Sequence, residues 1–439
     1  MIILSEHFEY DHNKGFLNNL DDEDFEKLKQ NEKYLKTLKR RQDEALCYLI
    51  QYRNDEEKYH FSTSYFVGID WIIENQLSIC VQPKLNHEKI EIDCLTMLFE
   101  ALQDVQNHEH LDGLCEIYFD KPQIEITQQQ DLLTPFLIVQ FLQIINRIVQ
   151  KGLKKTYYLV EKNLNSKVKG KIMTGKTLKI NYVKNQFTKT FCRYDEFGFN
   201  GDENKILKKA LLFARRAIQG FKLQKNKTTI NDLINYISPA FETVTDDIAI
   251  DRIKIFKPNP MYREYEMALK LAMLILRRFS YNITQTENTK RFSPPFWIDM
   301  SKLFELYIFK KLRDIFPKQN EVRYHERVHY RELDFLINSD NREYLMIVDA
   351  KYKPRYRNHA IDIDDLRQVC AYARLEKIYE KLNIQHDKNI DCLIIYPHQD
   401  CSDKFSREDL KQTTEYGYVN FYKLGIALPE IQNQSIERT

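Results

Sequence analysis

The sequence predicts a mixed α+β chain in three parts. These are a β-rich N-terminal domain (residues 1–128), a mostly helical middle region with a basic segment (129–295) and a C-terminal α/β domain (296–439). Three observations lead there. Strand-length apolar runs with polar turns mark the first part. Longer runs of helical period follow from Asp131. Past residue 296 the order becomes helix, strands, helix, strand.

Composition sets the outer bounds. With 439 residues the chain can hold two or three domains, each with a core. Hydrophobic residues at 43% and charged residues at 30% describe a globular chain. Tyr and Phe (27 and 26) outnumber Gly and Pro (11 and 12), which excludes a collagen-like or low-complexity chain. The net charge of +2 is small, so any affinity for nucleic acid must be local. Eight cysteines form no C-x-x-C pair and most sit in apolar runs, as buried reduced thiols of a cytoplasmic protein do. No secretory signal is visible at the N-terminus. The longest apolar stretch, Leu132 to Val149, is broken by Thr134, Pro135, Gln140, Gln143, Asn146 and Arg147, so a buried helix is expected rather than a membrane span.

In chain order, Asp21 to Tyr59 is highly charged with helical spacing and reads as surface helix. Tyr65 to Lys84 reads as two strands around Glu74-Asn75-Gln76. Lys89 to Leu102 gives a strand-like piece and a helix, and Glu116 to Ile126 another strand. Asp131 is an N-cap candidate and Gly152 a stop. Between Arg147 and Lys189 there are 12 Lys or Arg against one acid, Glu161. That patch suits a DNA-facing surface, a solvated face or a contact for an acidic partner. Gly175-Lys176-Thr177 lacks the upstream glycine of a phosphate-binding loop. Asp202 to Gly220 and Tyr262 to Arg278 are amphipathic helices, the second with Met267, Leu271, Leu274 and Ile275 on one stripe. Arg291-Phe292-Ser293-Pro294-Pro295 is a breaker and marks a boundary. A chain cut there is expected to keep whatever the first two parts do, provided they fold.

The last part carries the chemistry. Asp299 to Phe316 is a strong helix in which Glu305 interrupts apolar surroundings. Leu333, Phe335 and Ile337 alternate along a strand, Asn338 to Asn341 form a turn, and Tyr344 to Val348 is a second strand running into Asp349-Ala350-Lys351. Alternation puts Asp349 and Lys351 on one face, and pairing brings Asp334 beside them. Asp-x-Lys alone is common, but the apolar run before it makes this one the end of a buried strand. Two carboxylates suit Mg²⁺, which keeps waters and phosphate oxygens in its shell. A neighbouring ammonium can orient or deprotonate the attacking water and offset developing phosphoryl charge. Asp362 to Leu382 is a helix with Gln368 and Tyr372 one turn apart. Asp391 to Pro397 is a buried strand, and Tyr416 to Leu428 gives one or two more.

Glu305, Asp334, Asp349-Ala350-Lys351 and Gln368-x-x-x-Tyr372, in this order, resemble the motifs of the PD-(D/E)XK nuclease superfamily. VGIDWIIENQLSICVQPKL, GLKKTYYLVEKNLNSKVKGKI, CRYDEFGFNGDENKIL, YREYEMALKLAMLIL and PPFWIDMSKLFELYIFKKL are similar to successive blocks of the McrC family, from about residue 65 onward. The resemblance implies an endonuclease-like C-terminal domain using Mg²⁺, with Mn²⁺ as substitute, on double-stranded DNA carrying modified cytosine. It implies a partner, an McrB-like AAA+ GTPase hexamer, docked by the N-terminal region and stimulated by it. It makes Asp334 and Asp349 metal ligands, Lys351 the catalytic lysine, Glu305 a supporting or water-mediated ligand, and Gln368 and Tyr372 residues that position substrate or Lys351. Leu333 departs from the family, which often has Pro or a small polar residue there. Two other readings stay open: an activator of the motor that cuts poorly, and the nuclease of a different ATPase-linked defence system.

Overall fold

The computed structural model describes the chain apart from residues 13–22, 24–26, 30, 41–42, 54–57, 86–90, 105, 108–109, 128–132, 221–226, 250–262, 285–290, 329–330, 354–360, 416 and 432–439. Two compact units emerge where three parts were expected. One joins Met1–Leu133 to Lys290–Thr439, and the other is Thr134–Thr289.

The first unit begins with strands β1 (Ile2–Ser5) and β2 (Glu9–His12). The charged stretch expected to be helical contains β3 (Lys33–Arg40), β4 (Asp43–Arg53) and β5 (Lys58–Thr63) instead. The reason lies in the period. Tyr34 and Leu38 are both buried, and residues four apart share a face in a strand as well as in a helix. A register shift at Lys36/Thr37 further blurs the alternation. β6 (Phe66–Ile73) and β7 (Leu77–Gln82) form the expected hairpin, with Asn75 at φ 59° in its turn. The next helix, Cys94–Ala101, starts at Asp93, whose carboxylate accepts from the amides of Leu95 and Thr96.

Two short strands follow, β8 (Cys115–Ile117) and β9 (Ile124–Ile126). The breaker at 291–295 is partly strand: β13 (Arg291–Ser293) pairs with β9. β14 (Phe296–Asp299) pairs with both β6 and β8, so the sheet order is β1-β7-β6-β14-β8. The third expected part therefore starts inside the first part's sheet. Gly68 makes this pairing possible, since a Cβ there would lie 2.1 Å from the Phe296 carbonyl oxygen.

The second unit opens with the helix Leu133–Lys151, followed by Gly152 at φ 91°. The expected cap, Asp131, lies outside the described residues. By length and composition this helix could cross a membrane, but 67% of its apolar window is buried inside the protein. The unit is less helical than expected. β10 (Thr156–Asn165) and β12 (Lys189–Gly198) pair along their full length, with β11 (Lys171–Ile172) at the edge. Helices Asp202–Gly220, Lys227–Ile237 and Arg263–Thr284 complete it. On the last helix Leu271, Leu274 and Ile275 are buried as expected, whereas Met267 is 47% exposed.

The C-terminal sheet of the first unit has the order β15-β16-β17-β18-β19: Val322–Val328, Arg331–Asn338, Leu345–Ala350, Asp391–Pro397 and Phe421–Ile426. The first three strands are antiparallel, and β17, β18 and β19 are parallel. The helix Met300–Ile315 carries Phe309, which stacks on Phe335. A cluster of Leu336, Ile347, Leu366, Val369 and Ile394 packs the helix Ile363–Tyr372 against the sheet. The single helix expected over 362–382 is broken, with Glu376–Leu382 starting anew.

Candidate active site

The centre forms where β16 and β17 run side by side. Phe335 pairs with Val348 in the antiparallel ladder, so the next position sets Asp334 across from Asp349. The Ala350 amide donates to Asp334 Oδ2 at 2.9 Å, tying the two strands at this point. Lys351 extends the parallel pairing, its amide donating to the Ile395 carbonyl at 2.9 Å.

Lys351 is the hub. Its Nζ lies 2.8 Å from Asp349 Oδ2 and 3.7 Å from Asp365 Oδ1. It donates to Gln368 Oε1 at 3.0 Å, and Gln368 Nε2 lies 2.8 Å from the Tyr372 hydroxyl. The sheet face holding Asp349 and Lys351 is thus met by Gln368 and Asp365 from the helix Ile363–Tyr372. Burial works against the Lys351 ammonium, but Asp349 and Asp334 outweigh it and hold the side chain charged beyond its ordinary range.

Asp349 and Glu305 are buried, and Asp334 lies between them electrically. Burial, then the charges of Asp349 and Glu305, push the Asp334 carboxyl well above the usual range. Lys351 and the Ala350 amide offset part of this. Glu305 points from the helix Met300–Ile315, and its Oε2 accepts from the Tyr324 hydroxyl at 3.1 Å and lies 3.0 Å from His325 Nε2. All six residues singled out in the sequence therefore belong to one neighbourhood.

The donor set fits a hard divalent cation. Burial and the neighbouring charges make the Asp334 carboxyl ionise reluctantly, and a cation would relieve that cost. Asp349 Oδ2 is buried and, beyond its ion contact with Lys351, has no hydrogen-bond donor among the described residues. Among those residues no three His, Cys, Asp or Glu side chains close into a ready-made cage. Mg²⁺ does not need one, because it takes one or two carboxylates and completes its shell with water and phosphate oxygens. Asp334 and Asp349 match that requirement, and the charge of Glu305 is felt at Asp334.

Three neighbours carry no mark in the sequence as read above. Asp365 receives Lys353 Nζ on both oxygens, at 2.7 and 2.6 Å. Its position three residues before Gln368 was a usable signal, since i and i+3 share a helix face. His325 and Glu332 meet at 3.1 Å, and nothing local in the sequence marked either residue. In the second unit the basic segment supplies β10, β11 and the helical turns Thr174–Thr177 and Leu178–Tyr182, with Tyr157 and Leu159 exposed on β10, and Glu161 is held by Arg193 and Lys176.

A family model described as McrBC 5-methylcytosine restriction system component matches residues 63–397, well over half of the chain. No curated protein matches. One similar solved structure is a half-complex of Thermococcus gammatolerans McrB AAA+ hexamers with bound McrC. It is 14% identical over 100% of this chain and 96% of that one, with a TM-score of 0.38. Another is the T. gammatolerans McrBC complex, 17% identical over 73% of this chain and 89% of that one, with a TM-score of 0.28.

Proposed function

The chain belongs to the family of McrBC 5-methylcytosine restriction system components, and from that premise we propose that it is the Mg²⁺-dependent DNA endonuclease subunit of such a system. The observation that carries the reading is the convergence of Asp334, Asp349, Lys351 and Gln368 at the β16–β17 edge. The proposed partner is an McrB-like AAA+ GTPase hexamer whose hydrolysis this chain stimulates. The proposed substrate is double-stranded DNA carrying modified cytosine.

Each residue has a task in phosphodiester hydrolysis. Asp334 and Asp349 would hold the cation, with Glu305 supporting through a water. Mg²⁺, when bound, supplies Lewis acidity to a phosphoryl oxygen and acidity to a water. Lys351 presents a fixed positive charge to the oxygen on which charge builds. Its Nζ lies 2.8 Å from Asp349 Oδ2, so the charge stands beside the carboxylates that would hold the cation. Gln368 orients Lys351 by accepting from its Nζ, and Tyr372 fixes Gln368 in turn.

The test separates cutting from motor activation. With the partner GTPase present, Asp349→Ala should lose plasmid cleavage and leave nucleotide hydrolysis stimulated as in the wild type. The isolated chain should cut poorly with or without GTP. Equal loss of both activities in a folded Asp349→Ala protein would make the site structural and sink the proposal.

A further inference from the structure

His325 occupies a backbone position that side chains avoid. It lies within β15 yet has φ 54°, the left-handed region in which a Cβ is crowded. The β15–β16 ladder pairs Tyr324 with Phe335 and Glu326 with Leu333, and it skips the pair between them, His325 and Asp334. A strained residue inside an otherwise regular ladder is a pointer to function. This one sits directly across from the first acid of the proposed centre.

The strain aims the ring. Nε2 lies 3.0 Å from Glu305 Oε2, and Nδ1 lies 3.1 Å from Glu332 Oε1. The ring is stacked on Tyr324 with centroids 3.7 Å apart, and the edge of His110 closes in at 6.2 Å. Tyr324 donates to the same Glu305 oxygen that His325 meets. The Glu305 carboxylate is therefore gripped on one oxygen by two rings that are themselves locked by stacking.

We propose that His325 is a positioning residue of the nuclease centre: it fixes the Glu305 carboxylate beside the Asp334–Asp349 pair and so sets the affinity for the divalent cation. The inference rests on the nuclease reading above and adds to it a residue that touches neither substrate nor metal. Partners that orient ligands commonly contribute a factor of about 10–100 in metal affinity or activity.

His325→Gly is the informative variant, because glycine accepts the backbone angle and removes only the ring. Calorimetric Mn²⁺ titration of the full chain should show affinity weakened roughly 10-fold. In the complex with its motor partner, the Mg²⁺ concentration for half-maximal cutting should rise by a similar factor, and cutting should recover at high Mg²⁺. His325→Asn, which tolerates the angle but reaches one carboxylate at most, should fall between the two. A merely structural role would lower the metal-free thermal midpoint without moving Mn²⁺ affinity. Wild-type Mn²⁺ affinity in folded His325→Gly overturns the inference, as it does in His325→Asn if the glycine variant does not fold. Asp349→Ala run alongside separates the two readings. If it still cuts, the nuclease reading fails; if it is dead while His325→Gly behaves as wild type, only the role of His325 fails.

Discussion

At the scale of single residues, Lys351 and Asp334 respond to opposite conditions. Lys351 contributes where charge develops on phosphoryl oxygens, so Lys351→Ala should fold, still bind Mn²⁺ and lose cleavage by at least ~10²-fold. Near-wild-type plasmid cutting by this variant in the reconstituted complex would remove the lysine from the mechanism. Asp334 carries a stability consequence. Its folded-state pKa is raised by burial, then by Asp349 and Glu305. A raised carboxyl contributes stability that is complete below its unfolded value of about 3.9 and is lost as pH rises through the folded value. The metal-free protein should therefore lose stability on going upward from the ordinary carboxylate range. Asp334→Asn should flatten that slope and raise the thermal midpoint in chelator at pH 7. It should also abolish stabilisation by added Mn²⁺. A lower midpoint for Asp334→Asn across pH 5–8 would show that Asp334 is structural.

At the scale of elements, the helix Ile363–Tyr372 delivers Asp365 and Gln368 to the sheet. Its start is set by Asp362, whose carboxylate accepts from the Asp364 amide at 3.0 Å. Asp364 and Asp365 then place negative charge in the first turn, where the helix dipole favours it. Asp362→Ala should cost about 1 kcal/mol through loss of the cap. Because the cap sits two turns before Gln368, the variant should slow cutting severalfold while Mn²⁺ affinity stays at the wild-type value. Equal falls in both would mean that the helix holds the carboxylates and not only Lys351. The sequence shows this helix but not its end. Residues 373–375 contain no glycine or proline, and the break reflects packing of Leu375, Ile378 and Tyr379 into the cluster under the sheet.

At the scale of the molecule, β14 decides what can be separated. A cut after residue 295 would leave β6 and β8 without the strand between them and expose the site of Trp297, which is fully buried. Such a fragment should aggregate or melt far below the full chain, and a scan by circular dichroism checks this. The productive excision is the second unit. β9 and β13 pair antiparallel on either side of it, so the chain leaves and re-enters the first unit on adjacent strands. Replacing residues 134–289 by a short flexible linker should give a folded protein with wild-type Mn²⁺ affinity. Loss of cooperative melting in that variant would show that the first unit needs the second to fold.

The sequence by itself determined the local order. The alternation of Leu333, Phe335 and Ile337, the turn at 338–341 and the apolar run into Asp349 specify a hairpin, because period and turn chemistry are short-range properties. Gln368 and Tyr372 on one helix face follow from the same logic. Only the tertiary structure decided what lies far apart along the chain. Residues 296–299 read as the start of a new part, yet their hydrogen-bond partners are 66–69 and 115–117. Tyr352, next to the hub lysine, donates to the buried Glu6 at 2.9 Å across 346 positions. His325 gives no signal in its neighbours because its role comes from a left-handed angle and two distant carboxylates. Local patterns report which face a residue occupies, whereas pairing between strands is fixed by burial and backbone hydrogen bonds that close only when the whole unit assembles.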